Sequence, residues 1–220
     1  MKTVVNTLVT VFRREVLRDP FLLEIKRWFR DDGDNTLRLN YPLNSESVVW
    51  DLGGYQGDFA SEMSLRYKCR IFVFEPVPKF YAHCVERLRG DPRIQCLPFG
   101  LSRDGGWLSI TDSEDASSFV RDDQGSNSVR AEVRPVADMF DQLSVEQVDL
   151  LKINIEGGEF DVIPALMDAD LMSRVRYLQV QFHNFVPNAH SKREEIRRRL
   201  TRTHREVWNY PFVWECWERM

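Results

Sequence analysis

What the chain lacks narrows its class first. None of its apolar runs approaches the roughly 20 residues that a membrane-crossing helix requires. Met1 to Arg14 is only moderately apolar, and Arg13, Arg14 and Glu15 interrupt it before any small-residue cleavage site, so no secretory leader is expected. The four cysteines, Cys69, Cys84, Cys96 and Cys216, form no C-x-x-C pair. That spacing suits neither a zinc cage nor a disulfide framework, so reduced thiols in a cytoplasm, and no bound metal, are the expectation. Positive charge is not in excess: the net charge is −4 and the pI is near 5.7. A general polyanion binder needs a basic face, so no nucleic-acid partner is expected. No internal repeat or low-complexity tract is present.

At 220 residues the chain is long enough for one well-buried core. Residues 1–43 read as an N-terminal helical cap and short strand, and 44–220 as the main domain of one globular unit. Val4, Leu8, Val11 and Phe12 recur at helical spacing, as do Leu22, Ile25, Trp28 and Phe29, with Pro20 between the two pieces. Leu37, Leu39 and Tyr41 alternate with polar residues and predict a strand that Pro42 ends. Further on, Val48–Leu52, Ile71–Phe74, Ile94–Leu97, Val148–Ile153 and Val175–Phe182 are apolar runs separated by helical stretches. That alternation predicts an α/β fold with a doubly wound, mostly parallel sheet. Leu108 and Ile110 suggest an extra strand, and the Ser-, Asp- and Gly-rich stretch Asp112–Asn127 an exposed loop, a plausible lid over an acceptor. A basic helix over Ser191–His204 precedes an aromatic tail that reads as two antiparallel strands joined near Asn209-Tyr210-Pro211.

The segment Val48-Val49-Trp50-Asp51-Leu52-Gly53-Gly54-Tyr55-Gln56-Gly57 is an apolar strand, an acid and a glycine-rich turn. Glycines there let the backbone approach a ligand. The spacing fails the dinucleotide pattern G-x-G-x-x-G, because Tyr55 and Asp58 stand where the second and third glycines belong. A nicotinamide-dependent oxidoreductase is disfavoured accordingly. S-adenosylmethionine carries a cationic amine and sulfonium in place of a pyrophosphate, and Asp51 at the strand end suits that cation. A second strand, Ile71-Phe72-Val73-Phe74, ends in Glu75-Pro76, and a carboxylate so placed can accept both ribose hydroxyls. Gly53, Gly54, Tyr55 and Gly57 complete the expected cofactor turn.

At Leu150-Leu151-Lys152-Ile153-Asn154-Ile155-Glu156-Gly157-Gly158-Glu159 the sequence closely resembles the FkbM-type methyltransferases, whose mark is Lys-Ile-Asp-x-Glu-Gly-x-Glu. The resemblance covers roughly Asn44 to His183 and includes the glycine turn, Phe74-Glu75-Pro76, Gly100-Leu101-Ser102 and Asp138. It implies a Rossmann-like methyltransferase fold, S-adenosylmethionine as donor, and O-methylation of a sugar or another secondary metabolite. It also adds Pro76, Gly100 and Asn154 to the cofactor set. Two carboxylates frequent in the family are amides here, Asn154 and Gln181. An amide keeps hydrogen bonds but takes up no proton near neutrality, so a cofactor binder that has lost catalysis is the alternative.

Methyl transfer needs an acceptor oxygen held in line and a group to take its proton. His183, just past a strand end, is the candidate base, or else a polar residue tied down at a strand terminus. Glu156, directly after its strand, is the second catalytic candidate. Lys152, inside that strand, is either a site residue or an ion-paired lysine. Glu159 is an acceptor ligand or an acid favoured by a helix dipole, and Gln181 is the other candidate acceptor ligand. The run Lys192–Arg202 reads as a solvated helix with Glu194–Arg198 and Glu195–Arg199 pairs and a buried stripe of Ile196 and Leu200. Trp208, Tyr210, Trp214 and Trp217 are expected mainly in the core. Nucleic-acid methylation is further disfavoured because Asn154-Ile155-Glu156-Gly157 is not the Asn/Asp-Pro-Pro-aromatic tetrad that grips a flipped base.

Overall fold

The computed structural model describes residues 18–111 and 128–220. The first expected helical piece and the Asp112–Asn127 loop lie outside them. Helix α1 (Pro20–Arg30) begins where the Asp19 carboxylate accepts from the Phe21 and Leu22 amides, with Pro20 in the first turn, where its missing N–H costs nothing. Five parallel strands follow along the chain: β1 (Val48–Leu52), β2 (Arg70–Phe74), β3 (Ile94–Leu97), β7 (Val148–Ile153) and β8 (Val175–Val180). β9 (His204–Tyr210) and β10 (Trp214–Arg219) close the sheet as an antiparallel hairpin. The sheet order is β3-β2-β1-β7-β8-β10-β9. Between β3 and β7 stands a separate three-stranded sheet of β4 (Gly100–Ser102), β5 (Gly106–Thr111) and β6 (Ser128–Pro135), in the order β4-β6-β5.

Strand pleat sorts the core into two layers. Trp50, Leu52, Phe72, Phe74, Leu151, Ile153, Leu178 and Val180 belong to one face. There they meet α4 (Met139–Gln142), α5 (Glu159–Asp168) and α6 (Ala189–Leu200). Val49, Ile71, Val73 and Leu150 belong to the other, under α2 (Asp58–Tyr67) and α3 (Pro78–Arg87). Each such side chain contributes about 1.5–3 kcal/mol on leaving water. α1 packs on the hairpin instead: the Trp28 ring lies 5.8 Å from Trp208 and 5.1 Å from Tyr210. The terminal aromatics Tyr210, Trp214 and Trp217 are buried as expected, while Trp208 is half-buried against them.

Two local expectations fail. Residues 37–41 form no strand. The Arg38 and Leu39 amides donate back to Gly33 and Thr36, closing consecutive turns that leave Leu39 and Tyr41 buried without a ladder partner. On α6 the ion pairs are Glu194–Arg197 and Glu195–Arg198, three residues apart, while Arg199 reaches across to Asp168 on α5.

From β1 the chain steps outward through β2 to β3 and returns to β7 on the opposite side of β1. The direction of winding therefore reverses between β1 and β7, and open parallel sheets bind ligands in the crevice above such a reversal.

Candidate functional site

Two loops leave the carboxyl ends of β1 and β7 almost in contact. The Gly53 amide donates to Phe74 O and the Asn154 amide to Leu52 O, continuing both ladders by one residue. Gly53 has φ +83°, and a Cβ there would lie 1.9 Å from Asn154 O. Gly54 is as tightly held, since its Cβ would meet Val73 Cγ1 at 2.2 Å. Gly57 also has positive φ and precedes α2. Gly53 is thus required by the approach of the Asn154 backbone, Gly54 by the Val73 side chain, and Gly57 by its positive φ. Tyr55 and Glu156, the non-glycine residues at the crests of the two loops, both have φ +50°. Such conformations cost of order 1–3 kcal/mol and persist where surroundings impose them.

Asp51 and Lys152 are registered partners on neighbouring strands, so their side chains emerge on one face. Lys152 Nζ donates to Asp51 Oδ1 at 2.7 Å and to Gly53 O at 2.8 Å. Burial pulls the Lys152 ammonium below its usual pKa, and Asp51 opposes that shift. Of the two readings of Lys152, the structure shows the ion-paired one. Lys152 is enclosed and bound internally, so it is a counter-ion and a support for the Gly53 turn, out of reach of an acceptor. Asp51 is not a free carboxylate, because half of it is matched to Lys152. Its Oδ2, however, is buried without a partner, and so is Asn154 Oδ1.

Glu75 sits one residue beyond β2, which pairs in parallel with β1. Its Oε2 accepts from the Tyr55 amide at 2.8 Å and its Oε1 from the Val77 amide at 2.9 Å. Burial raises this carboxyl to about 7, with nearby Asp51 adding to the rise, while the two amides and Lys152 restrain it. Pro76 and Gly100 come together by packing: a Gly100 Cβ would lie 3.2 Å from Pro76 Cγ. Val133 Cγ1 would lie 3.3 Å from the same Cβ, so a side chain at 100 would crowd both neighbours.

On the far side of the crevice, Glu159 opens α5 and is fully enclosed. Its Oε2 accepts from the Gly157 amide, and its Oε1 accepts from the His183 amide and lies 3.2 Å from His183 Nδ1. Enclosed at the start of α5, it takes the structural of its two expected roles and fixes the loop after β7 to the chain leaving β8. Glu156 Oε2 lies 3.5 Å from His183 Nε2, so the imidazole stands between two carboxylates. Burial would lower its pKa, but the hydrogen bonds and charges of Glu156 and Glu159 prevail and raise it to about 9. His183 is thus favoured in its charged form and tied down at the strand end, the second of the two readings the sequence offered. Gln181 continues the β8 ladder through its amide to Ile153 O and is half-buried beside this cluster.

Sequence reasoning missed three parts of this site. The Tyr55 and Val77 amides are backbone groups with no residue signature. The Glu159–His183 link spans 24 positions, beyond any local pattern. Phe185 sits in a turn, without periodicity, yet its half-exposed ring lies 5.3 Å from that of His183.

The sequence model described as the methyltransferase FkbM domain matches residues 51–210. Among curated proteins, the chain is 23% identical over 156 residues to 2-O-methyltransferase NoeI of Sinorhizobium fredii, covering 62% of this chain and 63% of that one. It is 26% identical over 161 residues to Methyltransferase 1 of Beauveria bassiana, covering 61% and 65%. The matched region is thus less than two thirds of either relative. Among solved structures, a candidate rRNA methylase of Clostridium thermocellum superposes with a TM-score of 0.51 at 11% identity, covering 87% of this chain and 97% of that one. The fibrillarin/Nop5p complex gives 0.50 at 14% identity over 82% and 76%. These likenesses show the class I methyltransferase fold alone. They lend no support to the expectation that nucleic acid plays no part. Among the described residues, no helix is long and apolar enough to cross a membrane.

Proposed function

The chain belongs to the FkbM methyltransferase family, and from that premise we propose that it transfers a methyl group from S-adenosylmethionine to a hydroxyl of a saccharide or secondary-metabolite acceptor. S-adenosylmethionine is the donor of this family, and the residues present fit it. The carrying observation is the pair of buried acceptors without donors, Asp51 Oδ2 and Asn154 Oδ1, at the winding reversal beside Gly53. Leaving such atoms unpaired costs about 1–3 kcal/mol each, and an ammonium group supplies the missing donors. Glu75 would hold the ribose hydroxyls through lone pairs not used by Tyr55 and Val77. The glycines at 53, 54 and 57 keep the backbone clear.

When bound, S-adenosylmethionine presents a methyl on a sulfonium, which an acceptor oxygen displaces in line. The chain's own task is then positioning and proton removal. Glu156, partly exposed at its loop crest, accepts the hydroxyl proton. His183, carrying its own proton, stays between Glu156 and Glu159 and keeps the Glu156 carboxylate aimed. Lys152 maintains Asp51. The amide at 154 leaves Glu156 as the proton acceptor of this crevice, so Asn154 need not signal an inactive enzyme.

Incubation with methyl-labelled S-adenosylmethionine and a panel of glycosides and polyol natural products, read by mass spectrometry, tests the proposal. A labelled methyl ether is the expected product. Cofactor binding without transfer to any hydroxyl would support the lost-catalysis alternative. Transfer to nitrogen, or to RNA with steep salt dependence, would overturn the proposal.

A further inference from the structure

A cavity of about 530 Å³ opens between the start of α1, the turn after β8 and the turn joining β9 to β10. Pro20, Phe21 and Leu23 line it from α1, and Pro211 and Phe212 from the hairpin turn. His190 joins that apolar wall, its ring edge-on to Phe212 at 4.5 Å. Arg18, Asp19, Glu24 and Arg193 also line it. Arg193 is held by Glu215, Glu194 and Asn209, Glu24 by Arg27, and Asp19 accepts from the first amides of α1, so these three charges are already matched within the protein. Asn184 lines the cavity and directly follows His183 in the chain. His183, one member of the Glu156–His183 pair, is therefore the chain neighbour of a residue in the cavity wall. The cavity's volume lies within the roughly 300–1,000 Å³ of small-molecule sites, and although charged residues stand around it, most of its lining surface is carbon, which suits an apolar ring.

We propose that this cavity binds the non-reacting part of the acceptor, an uncharged apolar or aromatic ring attached to the hydroxyl-bearing moiety that faces Glu156. The proposal rests on the transferase reading above and deepens it from a hydroxyl acceptor in general to one with an apolar arm. It separates two tasks: the crevice selects the methyl donor, and the cavity under α1 selects the acceptor.

The test uses the full chain saturated with S-adenosylhomocysteine and two probes that share one sugar, 4-nitrophenyl and methyl β-D-glucopyranoside, titrated by calorimetry. The aromatic glycoside is expected to bind at least about tenfold more tightly. Leu23→Trp, at a partly exposed position, narrows the cavity and should erase that preference, whereas Leu23→Ala should keep it. Melting temperature reports folding of each variant, and titration of S-adenosylhomocysteine alone reports the cofactor site separately. Equal affinity for the two probes, no binding of either, or a preference that Leu23→Trp leaves intact overturns the proposal. Failure of S-adenosylhomocysteine to bind folded protein would instead overturn the transferase reading beneath it.

Discussion

The two sides of the crevice treat their carboxylates in opposite ways. At the β1–β2 side, Asp51 keeps one buried oxygen without a donor, and Glu75 accepts only backbone amides. At the β7–β8 side, Glu159 is saturated by the Gly157 and His183 amides and, with Glu156, encloses a charged imidazole. The first side leaves a buried acceptor oxygen unmatched. The second is a closed arrangement that fixes where one proton goes. The loops differ accordingly: Gly53 and Gly54 of the first are closed around by Asn154 O and Val73, whereas the second is held by the Glu156 and Glu159 carboxylates around His183.

Breaking the open side should have the largest effect. Gly53→Ala places a methyl on Asn154 O and forces a disfavoured φ. Affinity for S-adenosylhomocysteine should fall by about 100-fold or more in calorimetry. Lys152→Met leaves Asp51 charged, buried and unpaired. Urea unfolding should show a loss of about 3–5 kcal/mol, and adding Asp51→Asn should restore part of it.

The closed side should answer through pH. The folded pKa of His183 lies above that of free imidazole, so its charged form stabilises the fold fully below about 6.5. That contribution disappears as pH rises through about 9. In Glu159→Gln the imidazole should titrate at least about one unit lower by NMR, and the alkaline loss of stability should begin earlier. A titration unchanged by that substitution would remove Glu159 from its positioning role. The smallest expected change is in Asn154→Asp. A charged acceptor beside the cofactor ammonium should tighten S-adenosylmethionine about threefold, since charge-assisted hydrogen bonds are the stronger kind.

The sequence made the open side legible because its signals are local. Asp51 to Gly57 form one continuous run at the end of β1, Glu75 directly follows β2, and the apolar runs fixed β1, β2, β3 and β7 to within a residue. The closed side was legible in its residues but not in their roles. Lys152, Glu159 and His183 were all singled out, yet only a register between neighbouring strands shows Lys152 facing Asp51. Only the return of β8 beside β7 brings Glu159 under His183. Residues 37–41 misled for the complementary reason: alternation marks which side chains are buried, not whether a neighbouring strand exists to pair with.

In the proposed site Glu75 holds the donor's ribose, while Asp51 Oδ2 and Asn154 Oδ1 receive its ammonium. Burial raises Glu75 to about 7, so its carboxylate is fully available only above that value. Calorimetric titration of S-adenosylhomocysteine should therefore show affinity rising several-fold from pH 6 to pH 8 in the parent protein and losing that dependence in Glu75→Gln. Folded protein that binds no S-adenosylhomocysteine at pH 8, or binds it equally well with and without the carboxylate, would contradict the account.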